Sequence, residues 1–157
     1  SYTGLRIGVS VAKGICFAHD LSLVAVPTLD ALVYGVLPYV NGPSTLLVPM
    51  LDARRMEVYS KVMTSDFKDV EAISPKILDS SSYNELLETT SVWFIGDGAQ
   101  KFSVLCESSN ATFYPEECPT AKSVGLLGYE FYKEQRFVDV AYFEPFYLKE
   151  FYTNAKV

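Results

Sequence analysis

Hydrophobic positions along the chain alternate between two spacings, and each change of spacing marks an element. Residues 3–17 place apolar and small side chains around most of a helical wheel, which predicts a first helix from Thr3 to Phe17. "LSLVAVP" (21–27) reads as a short strand, and "PTLDALVYGVLPYV" (27–40) as a second helix with Thr28 as its N-cap just after Pro27. "NGPS" (41–44) is a breaker and the expected internal boundary. After it "TLLVPMLDA" is nearly all apolar, as a strand buried on both faces must be. "MEVYSKVMT" alternates and pairs with it in a hairpin across Ala53–Arg55. A helical "SSSYNELLE" leads into the apolar strand "SVWFIG", then a turn at Gly96–Gly98, a helix through "AQKFSVLCES" and a short strand "ATFYP". "TAKSVGLLGYEFYKEQRF" is an amphipathic helix, and the aromatic tail "AYFEPFYLKEFY" follows it. Strands alternating with helices after a hairpin predict an α/β sandwich with a mixed sheet.

The opening helix contains three glycines, which raises the question of a phosphate loop. Such a loop needs two glycines at fixed spacing, then Lys and a hydroxyl, after a strand. Lys13 follows Gly8, but the second glycine, the hydroxyl and the preceding strand are missing. On the wheel Gly4, Gly8 and Ala12 form a small-residue stripe. Leu5, Val9 and Cys16 flank it on one side, and Ile7, Val11 and Ile15 on the other. Arg6, Ser10 and Lys13 share a narrow polar ridge with Phe17. The non-polar arc covers about 220°, where a surface helix needs about 100°. A helix of this kind has to be covered twice, by its own fold and by a further surface in the same molecule or a partner.

Composition narrows the classes. The chain has 157 residues, 49% hydrophobic, with 11 Tyr and 10 Phe, enough for a core and incompatible with a disordered protein. The longest apolar run falls well short of a membrane span. Cys16, Cys106 and Cys118 are odd in number and unrelated in spacing, which predicts no disulfide scaffold or metal template and a reduced cytoplasm. A net charge of −6, with no basic cluster beyond Arg54-Arg55, argues against direct nucleic-acid binding.

Several stretches carry a resemblance. "SYTGLRIGVSVAKG" resembles the pattern G-P-G-S-F/Y-T-G-L/V-R-I-G-x-x-x-A-K/Q-G of the bacterial TsaB (YeaZ) proteins. "VPTLDAL" resembles that family's VSSLEAL, "LDARRMEVY" its IDARRGEVY, and "FEPFYLK" its AEPVYLR, while "GDGA" stands where the family has a similar glycine pair. The resemblance implies an actin-like ATPase (RNase H-like) fold. It also implies a C-terminal fragment: residues 1–40 as a remnant of a first subdomain, and 45–157 as a complete second one. It further implies a non-catalytic subunit in forming threonylcarbamoyladenosine at position 37 of tRNA, with TsaD as catalytic partner and TsaE as a third, ATP-hydrolysing member. No cofactor is expected in this chain, and ATP enters at the level of the complex. The partner surface implied is the opening helix: Gly4, Leu5, Gly8, Val9, Ala12 and Cys16 in contact, with Arg6 and Lys13 at its border selecting by charge. The same helix would serve a competing homodimer.

Candidate chemistry within the chain is sparse. His19 is the only histidine, so a His-pair metal site is excluded, and no metallopeptidase or nucleophile-elbow spacing occurs. Its place after the first helix suits a helix C-terminal cation or a solvated residue. In actin-like ATPases the second subdomain opens on a hairpin whose D-x-G admits phosphate. Asp52 matches that Asp, but Arg54 stands in place of the Gly. Arg54 either pairs with a carboxylate or holds an anion itself. Gly96-Asp97-Gly98, between a strand and a helix, reads either as an anion site or as a tight turn. Together Asp52, Arg54, Gly96, Asp97 and Gly98 form a candidate vestigial nucleotide or anion site, and the alternative to a scaffold is an ATPase or kinase that uses it. The aromatic tail reads as a core-capping segment rather than a docking peptide.

Overall fold

In the computed structural model the described residues are 2–40, 42, 44–115 and 118–149, with Tyr2 described by its backbone alone. They form two compact units, one of residues 26–129 and one combining the described parts of 1–25 and 130–157. These units do not divide at 41–44. The helix before that breaker is buried in the larger unit with the strands that follow it.

The larger unit is built on a five-stranded sheet. After α2 (Thr28–Val36) and a 3-10 turn (Leu37–Tyr39) come β1 (Leu46–Asp52), β2 (Glu57–Met63) and β3 (Asp69–Ile77). Then follow α3 (Asn84–Thr89), β4 (Val92–Ile95), α4 (Ala99–Ser103), β5 (Ala111–Tyr114) and α5 (Ala121–Lys133). The spatial order is β3-β2-β1-β4-β5. β1, β2 and β3 are an antiparallel meander, whereas β4 runs parallel to β1 and β5 parallel to β4. β1 is central and its middle is buried on both faces, as its unbroken apolar run requires. Pro49 is accommodated there: the register with β2 is kept on either side of it, Leu47 opposite Met63 and Met50 opposite Ser60.

Strand alternation sends side chains to two separate cores. On one face Val48, Met50, Val92 and Phe94 pack with Leu87 of α3, Phe102 of α4, and Tyr83. On the other, Leu47, Trp93 and Ile95 pack against Leu29, Leu32, Val33 and Val36 of α2. Phe94 lies edge-on to Tyr83 and Phe102, at 5.3 and 4.8 Å between ring centres. Trp93 stacks on Tyr114 of β5 at 4.6 Å. Tyr83 is the left-handed residue ahead of α3, and its hydroxyl is 2.8 Å from that of Ser60 on β2. Burial pushes the Tyr83 phenol up to about 12 although the Ser60 contact favours the ionised form.

A partly buried ion cluster fastens α2 to the sheet. The β2–β3 register shifts around Lys61, and its ammonium lies 2.6 Å from Asp30 of α2 and 2.7 Å from Asp69 of β3. Burial would lower the Lys61 pKa, but the hydrogen bonds to the two carboxylates outweigh it and raise the pKa above its ordinary value. The acid in "VPTLDAL" is therefore structural.

Several local expectations change. The N-cap of α2 is Pro27, in extended backbone at φ −62° and ψ 136°, and Thr28 is already the first helical residue. Residues 21–27 make only a single bridge, Leu23 to Val138, rather than a strand. The helix read across 99–108 ends at Ser103. Thr120 caps α5 by accepting the Ser123 N–H at 3.0 Å.

The smaller unit contains α1 (Tyr2–His19), which closes on Leu21, whose N–H donates to the Cys16 carbonyl at 2.9 Å. Its second part begins at Glu130, in the last turn of α5, and returns to the first where the Val138 N–H donates to the Leu23 carbonyl at 2.9 Å.

Candidate functional site

The β1–β4 corner of the larger unit brings together all five candidate anion-site residues, Arg54 through its backbone. β1 and β4 are parallel neighbours, Pro49 opposite Ile95, so both strands end at the same edge of the sheet. In open α/β sheets that edge is where ligands bind. Gly96 has φ +100°, and a Cβ on it would stand 2.5 Å from the Met50 carbonyl oxygen. A Cβ on Gly98 would stand 2.9 Å from both Met50 Cβ and Val58 Cγ1. The glycines are thus spent on bringing the β4–α4 turn against β1 and β2. The Gly98 N–H points at the Met50 carbonyl, 3.3 Å away, and so is already engaged.

The two carboxylates are also engaged. Asp97 Oδ1 accepts the Asp52 N–H at 2.9 Å. Asp52 Oδ1 accepts the Arg54 N–H at 2.6 Å and the Lys101 ammonium of α4 at 2.7 Å. Lys101 also donates to the Glu57 carbonyl at 3.2 Å. The Lys101 hydrogen bond, then the Arg54 N–H, hold the Asp52 carboxyl below its ordinary value. The expected ion pair at this strand end therefore exists with a different cation. Lys101, 49 positions away, takes the place given to Arg54. Arg54 contributes its backbone, at φ 71°, while its side chain is exposed and pairs with no carboxylate among the described residues. Lys101 carried no signal in the sequence, because only the fold brings α4 beside the hairpin.

Among the described residues no three His, Cys, Asp or Glu side chains stand close enough to share a metal ion. His19 is the exposed last residue of α1. All three cysteines are free: Cys16 and Cys106 half-buried, Cys118 exposed.

The other candidate residues lie on α1, and the structure sorts them by face. Val9, Ala12, Lys13 and Cys16, spaced as one side of a helix, are half-buried. Lys13 donates to the carbonyls of Ala141 and Phe143 at 3.0 and 2.9 Å. Arg6 Nε donates to the Tyr147 hydroxyl at 3.3 Å, with its guanidinium 5.9 Å from the ring centre. The two cations assigned to the border of a partner contact are held by the chain's own tail. Gly4, Leu5 and Gly8 are exposed. So are Ile7, Val11 and Ile15, at 60%, 56% and 53%, a second apolar stripe that the sequence treats only as a flank. In the tail Tyr142 and Phe146 are 85% and 72% exposed, so these aromatics do not cap a core; residues 150–152 lie outside the described part.

Comparison with known proteins agrees with this architecture. The family model described as TsaD, tRNA N6-adenosine threonylcarbamoyltransferase, matches residues 1–142. The TsaB proteins of Haemophilus influenzae and Escherichia coli, named for tRNA threonylcarbamoyladenosine biosynthesis, are each 26% identical to this chain. The matches cover 100% and 95% of this chain, and 69% and 66% of those proteins. The chain thus spans about two thirds of the length of these relatives. A solved structure from Pseudomonas aeruginosa, described as similar to peptidase YeaZ, superposes with a TM-score of 0.78 at 18% identity, covering 95% of this chain and 69% of its own. YeaZ from the same organism gives 0.76 at 18%, over 94% and 68%. The fold is the actin-like, RNase H-like one, with its five-stranded mixed sheet between helices. The chain belongs to the family of the tRNA N6-adenosine threonylcarbamoyltransferase TsaD and, within it, to the TsaB (YeaZ) group.

Proposed function

We propose that this chain acts in the biosynthesis of threonylcarbamoyladenosine on tRNA as a non-catalytic subunit that docks and supports a TsaD-like catalytic partner. The observation that carries the reading is the open side of α1. Ile7, Val11 and Ile15 stand more than half exposed beside Gly8, where an added Cβ would meet nothing within 4 Å, so that another helix can approach closely. A contiguous apolar surface of this kind marks an interaction site. The names of the TsaB relatives supply the pathway.

The β1–β4 corner supports a non-catalytic role. Asp52 is neutralised by Lys101, Asp97 is tied to the β1 backbone, and the two glycines are filled by their own neighbours. A phosphate would have to displace these bonds, so ATP belongs to the assembled complex and to a TsaE-like member. The formal charge of −6 supports leaving the tRNA to the partner. A homodimer through the same α1 face is the second reading, since a helix face can meet its own copy about a twofold axis.

The test uses the full-length protein and a purified TsaD homologue. Wild type is expected to co-elute with it, and Val11→Glu to weaken the association at least tenfold. Equal capture of both would overturn the assignment of the surface. Micromolar ATP binding by the isolated protein, abolished by Asp97→Ala, would instead favour the ATPase reading.

A further inference from the structure

The segment following α5 runs along α1 in the opposite direction. Val138 bonds Leu23 beyond the C-terminal end of the helix. Ala141 and Phe143 meet Lys13, and Tyr147 meets Arg6, seven residues nearer the N-terminus of α1. Seven residues are close to two helical turns, so Lys13 and Arg6 lie on one side. Ile7, Val11 and Ile15 lie roughly opposite. Of the ties, Lys13 is the strongest in kind: one ammonium donates to two main-chain carbonyls, and it is half-buried doing so. Because the acceptors are backbone atoms, the tie fixes the path of the segment whatever its side chains are.

We propose that Lys13 is the latch of a strap formed by residues 138–147, which closes one side of α1 and leaves the helix with a single face open to association. The apolar arc of α1 is broad enough for two coverings, and the strap takes one of them. Val9, Ala12 and Cys16 are the apolar residues withdrawn on the latched side. Lys13 is on this account a positioning residue that sets which surface is offered. The restriction of association to the Ile7–Val11–Ile15 side rests on the docking role given to that face; the strap itself does not.

Cys16 is a built-in reporter, because it lies one turn from Lys13 on the withdrawn side. Cys106, half-buried against the core of the larger unit, is the control for general loosening, and exposed Cys118 is the reference. Maleimide labelling of the full-length protein, read cysteine by cysteine, is the experiment. Lys13→Met keeps the aliphatic stem and removes the donors. It is expected to speed Cys16 labelling about tenfold, the factor for losing hydrogen bonds to a charged group, with Cys106 unchanged. Lys13→Arg, which restores donors, is expected to return Cys16 to the slow rate. Unchanged Cys16 labelling in Lys13→Met overturns the latch, as does a rise shared equally by Cys106. By light scattering, Lys13→Met is expected to gain self-association that persists in the Lys13→Met/Val11→Glu double variant, and its absence overturns the one-faced helix. Val11→Glu with intact TsaD capture would instead overturn the docking face and leave the labelling result standing.

Discussion

The larger unit and the opening helix of the smaller one use apolar side chains in opposite ways. In the larger one Phe94, Phe102, Leu32 and Val33 have no measurable contact with solvent, and each sheet face has its own helices. In the smaller one none of residues 3–19 is fully buried, although the helix is as apolar as many core segments. The difference teaches that hydrophobicity alone does not locate a core. What matters is whether the fold supplies a surface for every apolar face, and α1 is supplied on one side only.

Substitutions can break that contrast, and the largest effect is expected where the packing is tightest. Gly96→Ala puts a methyl against the Met50 carbonyl in a left-handed backbone, and should destabilise the larger unit by about 3 kcal/mol or more, read by denaturant unfolding. Asp30→Ala leaves the partly buried Lys61 with the exposed Asp69 alone, and should cost about 2 kcal/mol by the same measurement. The raised pKa of Lys61 means that its contribution is fully present below the ordinary lysine value and fades as pH rises through the higher folded one. Asp52→Asn should cost only a few tenths of a kcal/mol, since the carboxylate is 41% exposed and its pair with Lys101 is solvent-screened. The lowered Asp52 pKa makes that contribution present above the ordinary 3.8 and lost as pH falls through the folded value, so the variant and wild type should converge in acid. Val11→Glu should change the stability of the isolated protein by less than about 0.5 kcal/mol. A large loss there would mean that the open face of α1 is covered by its own chain, and the contrast between the units would fail.

Much of the fold was legible, and the exceptions have physical causes. The β1–β2 hairpin, β4 and β5 declare themselves by apolar runs ending at turns. β3 did not, because "DVEAISPKI" is an edge strand whose charges and Pro75 interrupt the alternation. The glycine pair at 96–98 was recognisable as chemistry or turn, and only the distance to Met50 decides between them. The Lys101–Asp52 and Lys61–Asp30 pairs join residues far apart in the chain, and nothing local announces them. On α1 the two apolar flanks look equivalent in a wheel. They are distinguished by Lys13, whose bonds run to backbone 128 and 130 positions away.

The single tryptophan of the chain, Trp93, is 8% exposed and stacked on Tyr114, within the sheet of the larger unit. Its emission therefore reports the loss of that sheet. Fluorescence from Trp93 and thiol chemistry at Cys16 give one clock in each unit of an unmodified polypeptide, so the opening of each can be timed in the same sample.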